Sequence, residues 1–190
     1  MTEVSVNREQ VNEVLRLLNG IQNEANTALR RSINNTLSGT KTAVSKGIGQ
    51  TITLKAKEIK SYIRVKRAKN SELSGRVILS GVLIPAIKFR NRQVRNGVSL
   101  KIWKQDRPVK LRHSFYAEMA SGHRGIFYRK QLSTGVYAGR LPIIEQFGPN
   151  ITTAYEKTPG LANRVEREAA DRLLEQINNQ VNFILNIENG

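Results

Sequence analysis

Two proline-free stretches near opposite ends of the sequence repeat apolar residues at helical steps, and they dictate most of what the chain can become. From Asn7 to about Ser38 the series is Val11, Val14, Leu18, Ile21, Ala25, Ala28, Leu29, Ile33 and Leu37. From 160 to 187 it is Leu161, Val165, Ala169, Leu173, Ile177, Val181, Ile184 and Leu185. Steps of three and four place each series on one side of an α-helix. The other sides are Asn, Gln, Glu and Arg in the first stretch, and acids alternating with arginines in the second, so each helix is predicted to lie across other structure with one side wet. Gly20 weakens the first helix by about 1 kcal/mol relative to alanine and marks a place for a bend or break. A continuation to Lys46 is predicted to stop at Gly47 and Gly49, while Pro159 suits a first helical turn.

Between the stripes the periodicity shortens. Leu54, Glu58 and Tyr62 share a face, which predicts a short helix over 52–61, and Tyr62-Ile63-Arg64-Val65-Lys66 then alternates like a strand. LSGRVILSGVLIPAIKF is rich in β-branched residues but interrupted by Gly75, Gly81 and Pro85, which predicts a strand, a kink and a short continuation. RQVRNGVSLKIW predicts a hairpin turning on Asn96-Gly97 in a type I′ turn, since both residues tolerate positive φ. If the next strand runs straight, Val109, Leu111, His113 and Phe115 share one face. SGHRGIFYRK reads as the far half of a second hairpin, with His123 in its turn, and LSTGVYAGRLPIIEQFGPN is rich in turn residues and closes on Gly148-Pro149. The predicted class is α+β: long N-terminal helix, short helix, antiparallel β-sheet with hairpins, long C-terminal helix. A single domain over 1–190 is expected, with a helical arm (1–50), a β-rich core (51–158) and the C-terminal helix (159–190).

Charge is concentrated in the middle. The chain's net +16 comes almost entirely from residues 55–112, where seventeen basic groups face three acidic ones. Such a segment attracts phosphate backbones or an acidic protein face. Lys101, Lys104, Lys110 and Arg112 are the candidates to face such a partner. The plainer reading is a solvated basic surface that keeps the protein soluble. Trp103 falls on the polar side of its strand's alternation, which fits either a partly buried edge tryptophan or a contact to a second subunit.

Catalytic and metal chemistry find little support. Cysteine is absent, the two histidines are His113 and His123, and neither has a carboxylate at ligand spacing. GxSxG, GxxxxGK[ST] and GxGxxG do not occur, and GIGQT at 47–51 lacks the lysine a phosphate loop needs. Glu118 and Glu145 are the acids of the central region, and each is expected to pair with a nearby arginine. No cofactor, metal or catalytic residue is expected. No stretch reaches the ~18 apolar residues of a spanning helix, and no membrane partner is expected.

The segments ANTALRRSINNT, LKAKEIKSYIRVKRA, FYAEMASGHRGIFYR and GRLPIIEQFGPNI, in that order, resemble the prophage minor tail protein Z family, the tail-completion proteins of long-tailed bacteriophages. The most specific parts are SGHxGxF(x)R, matched by Gly122, His123, Gly125, Phe127 and Arg129, and LPIxExxGP, matched by Leu141, Pro142, Ile143, Glu145, Gly148 and Pro149. The resemblance implies a structural virion protein, made in the bacterial host cytoplasm, without enzymatic activity. It implies a ring of identical copies, commonly sixfold, at the head-proximal end of the tail, meeting tail terminator, tail tube or head–tail connector proteins and no membrane. Of the motif residues, glycines and prolines are expected to shape the fold, with the others open to a role at a neighbour. The rival reading is a basic DNA-binding protein of phage origin, touching DNA in the channel without sequence preference.

Overall fold

The computed structural model describes residues 2–5, 8–17, 22–129 and 142–188. In chain order the elements are β1 (Thr2–Ser5), α1 (Arg8–Leu17), α2 (Gln22–Thr51), α3 (Ala56–Ser61), β2 (Ile63–Lys66), β3 (Ser74–Leu79), β4 (Ile84–Pro85), a 3-10 turn (Ala86–Lys88), β5 (Arg90–Val94), β6 (Gly97–Lys101), β7 (Val109–Arg112), β8 (Ser114–Glu118), β9 (Arg124–Arg129), β10 (Ile143–Glu145), β11 (Phe147–Gly148), α4 (Ile151–Glu156) and α5 (Leu161–Glu188). Helices at both ends and antiparallel strands between them make the chain α+β. It divides into two compact units, each assembled from separated stretches.

The first unit comprises residues 1–45, 62–79 and 159–190. Its helical part is the predicted pair of stripes: Ala25, Ala28, Leu29, Ile33 and Leu37 of α2 are buried, as are Leu161, Val165, Ala169, Leu173, Ile177 and Val181 of α5. Each fully buried Leu or Ile contributes about 1.5–3 kcal/mol. Polar groups stitch the two helices together: Ser32 Oγ lies 3.0 Å from the Gln176 carbonyl, and Asn35 Nδ2 donates to Gln176 Oε1 at 3.0 Å. A three-stranded antiparallel sheet, ordered β1-β3-β2, completes the unit. Gly75 of β3 lies against the Leu37 side chain, where a Cβ would collide with it. The four-residue β1 was not anticipated, because TEVS is too short for any period to stand out. The predicted break at Gly20 lies outside the described residues.

The second unit comprises residues 46–61 and 80–158. It holds two three-stranded antiparallel sheets, β5-β6-β7 and β10-β9-β8, and the two-stranded ribbon β11-β4. Three local expectations are corrected here. First, Gly47 and Gly49 do not stop α2, which runs on to Thr51. Burial of Val44 and Ile48 offsets the roughly 1 kcal/mol that each glycine costs. The helix ends where Ile52 bridges to Trp103 and Thr53 N–H donates to the Ile102 carbonyl at 2.9 Å, which also delays α3 to Ala56.

Second, the β5–β6 hairpin turns on Arg95-Asn96, with Val94 paired to Gly97. Asn96 has φ 61° and Gly97, at φ 150°, already opens β6. Since Arg95 is not in the positive-φ region, the turn is not type I′. A Cβ at Gly97 would run into the Leu111 carbonyl oxygen. Third, the strand through Val109–Phe115 does not run straight. His113, at φ 60°, ends β7, and β8 begins at once in a different sheet.

Candidate functional site

The two motif segments lie side by side. SGHxGxF(x)R supplies the turn before β9 and β9 itself, and LPIxExxGP supplies β10 and β11. β9 is the central strand, pairing Phe115 with Phe127 on the β8 side and Ile143 with Arg129 and Glu145 with Phe127 on the β10 side. Alternation sends Ile126 into the core, 0 % exposed. Met119 N–H donates to the His123 carbonyl and Gly122 N–H to the Met119 carbonyl, both at 2.8 Å, closing the turn; Gly122 has φ 80°.

His123 reaches from that turn to β10, where its Nε2 lies 3.0 Å from each carboxylate oxygen of Glu145. Its ring also meets Phe127 edge-on, with centroids 6.3 Å apart. Gly125 is the residue these side chains pass over: a Cβ there would come within 2.8 Å of both Glu145 Oε1 and the Phe127 ring. Arg129 lies over the Phe115 ring, 5.1 Å from its centroid. Past β10, Gln146 N–H donates to Ile126 and Ala86 N–H to Gln146, at 2.8 and 2.9 Å, and Gly148 packs against the Phe89 ring. Pro142 is exposed, Pro149 is half-buried, and Leu141 lies outside the described residues. Asn150 then caps α4 by accepting from Thr153 N–H at 2.8 Å.

The acids of this region are both engaged. Glu118 pairs with Arg124 at 2.7 Å, as expected of an arginine-rich surface. Glu145 takes His123 instead of an arginine, because the turn delivers the imidazole directly above β10. Among the described residues no three His, Cys, Asp or Glu side chains gather to hold a metal. No described helix is long and apolar enough to cross a membrane.

A second surface comes from β5-β6-β7. Directly opposed residues of antiparallel strands share a face, and the register opposes Arg90 to Lys101, Arg92 to Ser99, Ser99 to Lys110 and Gly97 to Arg112. Arg90, Arg92, Lys101, Lys110 and Arg112 therefore stand on one side. Val98 and Leu100 are buried on the other, where Tyr116 Oη of β8 donates to Asn91 Oδ1. Partial burial raises the pKa of that phenol. Two open clefts of about 470 and 370 Å³ adjoin the cationic side and share Arg90 and Lys101. The larger is also lined by Lys55, Lys88 and Lys104; Lys88 pairs with Glu58 at 2.7 Å, and Lys104 Nζ donates to the Gly49 carbonyl at 2.6 Å.

Of the four cations singled out from sequence, three share this face and Lys104 borders the adjoining cleft. Arg90, Arg92 and Lys55 were missed: the step of two puts Arg90 and Arg92 on one side of their strand, but only the register sets them beside Lys101. Trp103 is half-buried, bridged to Ile52, with Lys157 Nζ 5.3 Å from its ring centroid.

Among known proteins, neither the curated ones nor the solved structures include a match to the chain. A family model does match: prophage minor tail protein Z, over residues 10–187. That span contains both motif strands and the whole cationic sheet, so the chain belongs to the prophage minor tail protein Z family and is a phage minor tail protein.

Proposed function

We propose that this minor tail protein completes the tail. Copies associate into a ring, sixfold as the motif resemblance implies, at the head-proximal end. The ring joins tail to head through tail terminator, tail tube or head–tail connector proteins, and the role is structural, with no bond made or broken.

The observation that carries this reading is the apolar surface on and beside the β4–β11 ribbon. Val82, Leu83 and Phe147 are 64, 53 and 46 % exposed there, and one strand of the ribbon, β11, is itself part of the LPIxExxGP segment. Large apolar side chains left in water on and next to one ribbon offer a docking surface. When such a patch meets a different patch on the next copy, repetition makes a ring wherever the rotation between copies closes.

The test is light scattering on the purified chain across a wide concentration range, with and without tails assembled in its absence. A concentration-dependent oligomer, lost in the Val82→Ser, Leu83→Ser, Phe147→Ser variant together with head–tail joining, supports the reading. A strict monomer under every condition sinks it.

A further inference from the structure

We propose that the cationic side of the β5–β6–β7 sheet is a track for the phosphate backbone of duplex DNA. The face is made of Arg90, Arg92 and Val94 on β5, Gly97, Ser99 and Lys101 on β6, and Lys110 and Arg112 on β7. It contains five cations and no acid, and among the described residues none of the five is in an ion pair. Five unpaired positive charges on one small face repel each other, and a polyanion relieves that repulsion while releasing its own counterions.

The arrangement selects among anions. Cations two apart on a strand stand roughly 6.5–7 Å from each other, and neighbouring strands lie about 4.8 Å apart. The five charges of the face are thus spread along a surface, not gathered at one point, and continue into both adjoining clefts. The centre of the face is Ser99, with no apolar or aromatic anchor there of the kind that organises protein–protein interfaces. An acidic protein is therefore the poorer fit. The absence of an aromatic ring among these eight residues also disfavours single strands, which bind by base stacking. Among the described residues the face is built from the strands of one sheet, with no helix in it to enter a groove, so the contact is to phosphates and independent of sequence. The proposal stands apart from ring formation, because a monomer carrying this face binds in the same way.

The test is fluorescence anisotropy of the full chain with a labelled mixed-sequence duplex over a salt series. With five contacts, log affinity against log salt is expected to fall with a slope of about −4 to −5. Replacing all five cations by glutamine is expected to weaken low-salt binding by about 100-fold or more. The pairs Arg90→Gln/Arg92→Gln and Lys110→Gln/Arg112→Gln should each flatten the slope by about 2, and they decide the matter if the fivefold variant fails to melt cooperatively. A control carrying Lys57→Gln, Lys60→Gln, Arg64→Gln, Arg67→Gln and Lys69→Gln removes the same charge elsewhere and should keep the parental slope. The proposal is overturned if the parent does not bind at low salt, if the control loses as much as the face variant, or if polyglutamate of matched charge displaces the duplex equally well.

Discussion

His123 and Glu145 are twenty-two positions apart in sequence, yet the imidazole Nε2 sits 3.0 Å from both carboxylate oxygens. The contact ties the β8–β9 turn to the edge strand β10, and it joins the two most specific motifs of the chain through side chains as well as through the ladder. Glu145 is the better buried partner, its side chain 17 % exposed against 47 % for His123.

Breaking this pair should be felt from either side. Glu145→Gln and His123→Ala are each expected to lower unfolding stability by about 0.5–1.5 kcal/mol, with a positive coupling in the double-mutant cycle. Chemical denaturation of the four proteins measures it; additive losses would mean that the two side chains act independently.

The motif glycines should separate by mechanism. At Gly125 and Gly148 an added methyl meets side chains, at 2.8 Å from Glu145 Oε1 and 2.5 Å from the Phe89 ring respectively. Alanine at either site is expected to cost about 1–3 kcal/mol through overpacking. Gly122 faces open space but has φ 80°, so alanine there costs about 1–2 kcal/mol through the backbone alone. Asparagine, which tolerates that region, should recover much of the loss at Gly122 and none at Gly125, as read by thermal melting.

Among the described residues two buried hydroxyls lack a partner for their oxygen: Thr36 Oγ1 in α2 and Ser114 Oγ in β8. Both residues are nearly inaccessible, at 0 and 3 %. Thr36→Val and Ser114→Ala remove a desolvated polar atom with little change of shape and are expected to be neutral or stabilising by up to about 1 kcal/mol. A clear loss of stability in either would reveal a hydrogen bond at that hydroxyl.

At the β2–β3 connection, hydrogen bonds from Lys66 and Ser74 and the Lys66 charge hold the Glu72 carboxyl below its ordinary pKa of 4.5. A depressed folded-state value stabilises the hairpin above pH 4.5, and that support disappears as pH falls through the lowered value. Protection factors of the β2–β3 amides, taken relative to intrinsic exchange at each pH, should fall over that acid range in the parent, and Glu72→Gln should show little of this pH dependence.

Much of the helical framework was legible because α2 and α5 bury residues that recur every three or four positions, a pattern that survives any tertiary arrangement. The hairpins were legible for a related reason, since Asn96-Gly97 and Gly122 advertise positive φ. What local pattern misses is competition between distant segments. Ile52 is claimed by Trp103, so α3 starts late; Gly47 is carried along by buried neighbours, so α2 ends late. The units are built from stretches far apart in sequence, which no window of residues can display. The cationic face was half legible: Lys101, Lys110 and Arg112 stand out as basic, but Arg90 and Arg92 join them only once the strand register is known.

The change of sheet at His113 leaves no spare chain between β7 and β8. A single inserted residue at this corner would turn over every side chain of one strand or the other, drawing cations inward or expelling Ser114 into water. An insertion in the Met119–His123 turn would instead leave the strands on either side in their orientation and disturb only the hydrogen bonds that close the turn.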